Sequence, residues 1–137
     1  MRNDNEIILV DDDDIEIMIA RKNLARSRLR NPLLTFQSGS AFLAHMDQVK
    51  ANLRPMPSLV LLDLRMPLMD GFEVLEHLRA DEAFRQIPVI QIFSNSSNDS
   101  DIARSAQLGA DGYWVKPSSS EEYIALFDEL AARRRAD

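Results

Sequence analysis

Short apolar runs alternate with segments of helical period along the chain. Ile7-Ile8-Leu9-Val10 is continuous, largely β-branched and ends on acids, the pattern of a strand buried on both faces. Ile15, Met18 and Ile19 open a helical stripe that runs through the basic residues 21–30. It stops near Asn31-Pro32, because proline disfavours helix in the residue before it. Leu33-Leu34-Thr35-Phe36 predicts a second strand, with Ser38-Gly39-Ser40 as its turn and cap. Phe42, His45, Met46 and Val49 mark one face of a second helix, broken at Arg54-Pro55-Met56-Pro57. Leu59-Val60-Leu61-Leu62 predicts a third strand ending on Asp63, and Gly71, Val74, Leu75 and Leu78 stripe a third helix. Ile87-Pro88-Val89-Ile90 leads a fourth strand to about Phe93, and the polar residues 94–101 open a fourth helix through Ile102, Ala103 and Ala106, stopping at Gly109. Tyr113-Trp114-Val115 is a short fifth strand. Ser119 and Glu122 form the capping-box pattern of a last helix striped by Tyr123, Leu126, Phe127 and Leu130. This alternation predicts α/β architecture: one doubly wound (βα)5 domain with a five-stranded parallel sheet, filling residues 1–137 with a core of about 6–132.

Composition narrows the classes. At 137 residues there is room for one ordinary domain with a real core. The formal net charge of −6 argues against a general nucleic-acid or anionic-membrane surface. With no cysteine, disulfide scaffolds, thiol catalysis and cysteine-based zinc sites are excluded. The start, Met1-Arg2-Asn3-Asp4-Asn5-Glu6, lacks the apolar core of a signal peptide, and the apolar runs fall far short of the roughly 20 residues that span a bilayer. A cytoplasmic protein is expected.

In such a sheet ligands gather at the carboxyl ends of the strands. Here those ends carry Asp11-Asp12-Asp13-Asp14, Asp63, Ser94 and Lys116. Gathered carboxylates repel by roughly 1–4 kcal/mol per pair at 4 Å, so they call for a counter-charge. Hard oxygen ligands favour Mg2+, which keeps several waters and is usually held by one or two carboxylates plus phosphate oxygens. Lys116 offers a compact charge for a phosphate or carboxylate, and Ser94 a hydrogen bond to the same oxyanion. The set suggests phosphoryl transfer, in which an aspartate can itself be the acceptor.

Three stretches carry a family resemblance: Ile8-Leu9-Val10-Asp11-Asp12-Asp13, Leu61-Leu62-Asp63-Leu64-Arg65-Met66-Pro67-Leu68-Met69-Asp70-Gly71, and Gly109-Ala110-Asp111-Gly112-Tyr113-Trp114-Val115-Lys116-Pro117. In order and separation they resemble the receiver domain of two-component response regulators, the flavodoxin-like CheY fold, over essentially residues 6–132. The resemblance implies Asp63 as phosphoacceptor for a sensor histidine kinase. It implies Mg2+ held by Asp12 directly, Asp11 mainly through water, Asp63, and the backbone carbonyl of Arg65. Lys116 would contact the phosphoryl group, with a cis bond to Pro117. Ser94 would be the switch hydroxyl and Tyr113 the switch aromatic. A strict count from Pro88 would put Phe93 at the hydroxyl position; phenylalanine cannot donate to a phosphate, so Ser94 is expected there. Arg65, two residues after the acceptor, would either hinder an attacking water or bind the phosphoryl group.

The resemblance further implies a stand-alone regulator without an output domain. It would signal through a downstream effector or a histidine phosphotransfer protein. The extended segment 94–101 is similar to that of regulators partnered with bacterial phytochrome kinases. Homodimerisation through the fourth helix, fifth strand and last helix fits the same resemblance, with Trp114 and Tyr123 as contributors. Other readings are weaker. A Mg-dependent aspartate-nucleophile phosphatase would want Asp-x-Asp, and Asp63-Leu64-Arg65 lacks the second acid. A phosphorylation-independent interaction module would not need the complete acid set, and no Gly-x-Gly-x-x-Gly supports a dinucleotide site. Asp13 and Asp14 read as acids at a helix start, Asp70 as a turn, His45 as a packing residue, His77 as a solvated one, and Arg133-Arg134-Arg135 as cations at a helix C-terminus.

Overall fold

The structure is a computed structural model that describes residues 5–136, with side chains through Arg133. Residues 1–4, which belong to the start read for targeting signals, lie outside the described residues, as do the side chains of Arg134 and Arg135.

The elements alternate strictly: β1 (Ile7–Val10), α1 (Asp14–Arg26), β2 (Leu33–Phe36), α2 (Gly39–Lys50), β3 (Leu59–Leu62), α3 (Gly71–Ala80), β4 (Ile90–Ser94), α4 (Asp99–Gln107), β5 (Gly112–Val115) and α5 (Ser120–Ala136), with a short 3-10 turn at Glu82–Phe84. The strands form one parallel sheet in the order β2-β1-β3-β4-β5. All four residues of β1 and of β3 are buried, because the strands are covered on both faces. Alternate residues divide between two cores. Ile8, Val10, Val60, Leu62, Ile90 and Ile92 meet Phe42, Met46, Phe72, Val74, Leu75 and Leu78 on the α2–α3 side. Ile7, Leu9, Leu59, Leu61 and Phe93 meet Ala20, Leu24, Tyr123, Phe127 and Leu130 on the α1–α5 side. No helix among the described residues is long and apolar enough to cross a membrane.

Local chemistry sets several boundaries. Asp13 caps α1, accepting from the Ile15 N–H, and Asp14 and Glu16 lie in its first turn, where acids meet the positive helix end. Asp70 caps α3 in a complete capping box with Glu73. The Ser119 hydroxyl accepts from the Glu122 N–H at 3.2 Å at the start of α5. Gly109 takes φ 107°, a left-handed conformation that suits glycine, just after α4.

Four expectations need correction. The Ile15, Met18 and Ile19 stripe faces solvent, while α1 buries Ala20, Asn23 and Leu24 against the sheet; the buried face follows where α5 packs, which local periodicity does not specify. Similarly, α4 turns Asp101 and Ser105 inward and leaves Ile102, Ala103 and Ala106 exposed, since its inward face meets a polar rim. The cis bond among the described residues is Ile87–Pro88, not the bond before Pro117; the small trans preference at X–Pro lets surroundings decide at each site. Tyr123, expected at a dimer face, is buried edge-on against Phe93 with ring centroids 5.8 Å apart.

Candidate functional site

The order 2-1-3-4-5 reverses direction between β1 and β3, and a crevice opens where their carboxyl ends diverge. Backbone bonds fix both ends: the Asp11 N–H donates to Phe36 O at 3.0 Å and the Asp63 N–H to Val10 O at 3.0 Å. The two acids therefore leave adjacent strands at one level. Carboxylate oxygens of Asp11, Asp12 and Asp63 all lie within 4.8 Å of one another. Asp11 is 1% exposed and Asp63 7%, while Asp12 faces solvent.

Lys116 enters from the end of β5, where its N–H donates to Ser94 O at 2.8 Å. Its ammonium lies 2.7 Å from Asp11 Oδ2, 3.8 Å from Glu16 Oε2 and 3.9 Å from Asp63 Oδ2. Burial works against this charge, but the Asp11 hydrogen bond and the charges of Asp63, Asp11 and Glu16 outweigh it and raise the lysine pKa. Burial pushes the Asp63 carboxyl up to about 6; Lys116 and the Arg65 backbone N–H pull it down, and Asp11 and Asp12 push it further up.

Asp11, Asp12, Asp13, Glu16, Asp63, Arg65, Ser94, Asn95, Ser96 and Lys116 enclose a cavity of about 200 Å³. Ser94 is buried, with its hydroxyl accepting from the Ser96 N–H at 3.1 Å. Phe93 points through the sheet to the α1–α5 core, so of the two residues weighed for the hydroxyl position only Ser94 reaches the cavity. Tyr113 is half-buried beside it and donates its hydroxyl proton to Ser96 O at 2.8 Å. Gly71 is required by close approach: a Cβ there would lie 2.4 Å from Asp63 O and 2.8 Å from Leu64 Cα. The structure keeps His45 in packing, 5.1 Å from the Phe36 ring, and His77 in solvent.

Sequence reasoning missed Glu16, Ser96 and Asp101. Asp101 is 8% exposed, receives the Arg65 guanidinium at 2.6 Å and accepts the Ser96 hydroxyl proton at 2.7 Å. Those partners hold its carboxyl below the usual carboxylate range, Ser96 most strongly. Nothing in its local sequence distinguishes it from an ordinary acid in a first helical turn.

A flavodoxin-like parallel sheet with an acidic pocket and a buried lysine at its switch point defines the CheY-like class. The family model for the response regulator receiver domain matches residues 7–128, and the chain belongs to that family. It is 31% identical over 90% of its length to the "Probable methanogenesis regulatory protein FilR2" of Methanothrix harundinacea, covering 79% of that protein. It is 31% identical over 88% of its length to response regulator Rcp1 of Synechocystis, covering 82% of it. The solved structure of Mn2+-bound Rcp1 superposes with a TM-score of 0.77 over 93% of this chain and 91% of that one, at 26% identity. The phosphorylated cyanobacterial phytochrome response regulator RcpA superposes at 0.78, with 30% identity, over 91% of this chain and 89% of that one.

Proposed function

We propose that this receiver domain takes a phosphoryl group on Asp63 from a sensor histidine kinase. The observation that carries the reading is the gathering of Asp11, Asp12 and Asp63 within 4.8 Å beside a buried lysine, 3.9 Å from the acceptor carboxylate. In the transfer an Asp63 carboxylate oxygen forms the new P–O bond, the donor's bond to phosphorus breaks, and the leaving group keeps that electron pair. Hydrolysis later returns the carboxylate and inorganic phosphate.

The donor set suits a hard divalent cation: three carboxylates face one lysine, leaving excess negative charge that oxygen-loving Mg2+ would neutralise. Asp11, Asp12, Asp63 and the backbone carbonyl of Arg65 would hold it, and when bound it would neutralise charge on phosphoryl oxygens. Lys116 would orient the same group, having only to give up part of its contact with Asp11. Ser94 would donate its hydroxyl proton to a phosphoryl oxygen while its oxygen can still accept from the Ser96 N–H, and any shift of this turn would carry the Ser96 carbonyl that Tyr113 binds. The added charge of about −1.5 to −2 biases a two-state equilibrium on the α4–β5–α5 face. The signal would leave by contact with a downstream effector or histidine phosphotransfer protein, or by homodimerisation there. A phytochrome-type kinase is the favoured donor, supported by the likeness to the phytochrome response regulator RcpA.

Intact mass after incubation with Mg2+ and acetyl phosphate tests the reading, with Asp63→Asn as control. One labile phosphoryl adduct is expected, absent without Mg2+ and absent in the control. No adduct from acetyl phosphate or from a phytochrome-type kinase overturns it.

A further inference from the structure

Arg65 does not fill the cavity it lines. Its guanidinium is turned to α4, where Nη2 meets Asp101 Oδ2 at 2.6 Å, although the side chain is 64% exposed. The Asp101 carboxylate is tethered independently of that arginine: the same oxygen accepts the Ser96 hydroxyl proton at 2.7 Å, and Arg104 stands one turn along α4 with a favourable charge. Arg104 is itself held at 4.2 Å over the Phe72 ring, whereas Arg65 lies 6.0 Å from that ring. Asp101 is thus buried and held by a partner other than Arg65, whereas the Arg65 side chain stands largely in solvent. Arg65 follows Asp63 by two residues and lines the same cavity, so its long side chain is rooted beside the acceptor.

Resting on the phosphoacceptor reading of Asp63, we propose that Arg65 is a second phosphoryl-binding cation, withheld by Asp101 in the unphosphorylated protein and transferred to the phosphoryl group once Asp63 carries it. A guanidinium binds phosphate oxygens in a bidentate fork, stronger and better matched than a single bond to one carboxylate oxygen. The cavity otherwise presents five acids, Asp11, Asp12, Asp13, Glu16 and Asp63, against Lys116 as its buried cation. A dianionic group there attracts any cation within reach. When Arg65 leaves, Asp101 keeps Ser96 and Arg104, so the exchange does not strand a buried charge. It does cut the Arg65–Asp101 tie between the β3–α3 segment and α4, leaving Arg104 over the Phe72 ring. Asp101 and the phosphoryl group thus compete for one arginine, and that competition tunes both uptake of the group and release of α4.

A double-mutant cycle tests this on the full chain. Phosphorylation by acetyl phosphate with Mg2+ is followed by intact mass in wild type, Asp101→Asn, Arg65→Gln and the double variant, with Asp63→Asn as the blank. Freeing Arg65 in Asp101→Asn should raise the phosphorylation rate about three- to tenfold, and Arg65→Gln should lower it by a similar factor. In the Arg65→Gln background, Asp101→Asn should change nothing, and Arg65→Lys should recover part of the rate. An equal effect of Asp101→Asn with and without Arg65 would mean a loosened α4 and would overturn the proposal. So would uniform rates across all four proteins, while leaving Asp63 as the acceptor. A wild type that takes no phosphoryl group removes both readings together.

Discussion

The Lys116 ammonium lies 2.7 Å from Asp11 Oδ2 and 3.9 Å from Asp63 Oδ2, so the one buried lysine of the cavity is hydrogen-bonded to the acid ending β1 and stands off from the acid ending β3. This asymmetry divides their environments. Asp11 is almost fully buried with a direct counter-ion, whereas Asp63 feels its burial more than its lysine.

Removing the lysine should cost stability through Asp11. Lys116→Met leaves a buried carboxylate without its partner, a change that costs about 3–5 kcal/mol when nothing replaces the charge. Urea unfolding in EDTA should show a loss of that order. Mg2+ should restore more stability to the variant than it adds to wild type, and an equal increment in both would contradict the pairing.

Asp63 should give the metal-free protein an inverted acid response. Its folded-state pKa of about 6 lies above the ordinary 3.8, so the native state retains a proton that the unfolded state has already lost. Stability from this group is full below pH 3.8 and falls as pH rises to about 6. Asp63→Asn should therefore be more stable than wild type above pH 6, with the advantage vanishing near pH 4. Mg2+ affinity, read by calorimetry, should weaken as pH falls through about 6.

Gly71 is a steric requirement of the acceptor's backbone. Gly71→Ala places a methyl 2.4 Å from Asp63 O, a contact relieved only by moving backbone. A loss of about 1–3 kcal/mol or more in chemical denaturation is expected, together with weakened Mg2+ binding. Unchanged stability would show that the β3–α3 turn yields easily.

Ser94 and Phe93 should separate cleanly. Phe93→Leu trims the α1–α5 core, where Phe93 meets Trp114 and Tyr123, and should cost about 1–3 kcal/mol while leaving the phosphorylation rate within twofold. Ser94→Ala should cost about 1 kcal/mol, since the Ser96 N–H loses its acceptor, and should slow phosphorylation. The reverse pattern would move the hydroxyl role away from Ser94.

The sequence by itself determined the parallel five-stranded plan. Continuous apolar runs such as Ile7–Val10 and Leu59–Leu62 can only be satisfied by cover on both faces, and an acid directly after each run must emerge on one rim. Asp11, Asp12, Asp63, Ser94 and Lys116 were legible for that reason: strand ends in such a sheet share a level. Helix faces were less legible. Ile15, Met18 and Ile19 satisfy a helical period, yet only the packing of α5 on α1 decides which side is inner, and it selects Ala20, Asn23 and Leu24. The pairing of Arg65 with Asp101 belongs wholly to tertiary structure. These residues are 36 positions apart, neither stands in a local pattern that names the other, and their meeting depends on how α4 settles against the β3–α3 segment. Backbone hydrogen bonding and apolar periodicity act over a few residues and are written locally; a long charged side chain finds its partner only after the elements have docked.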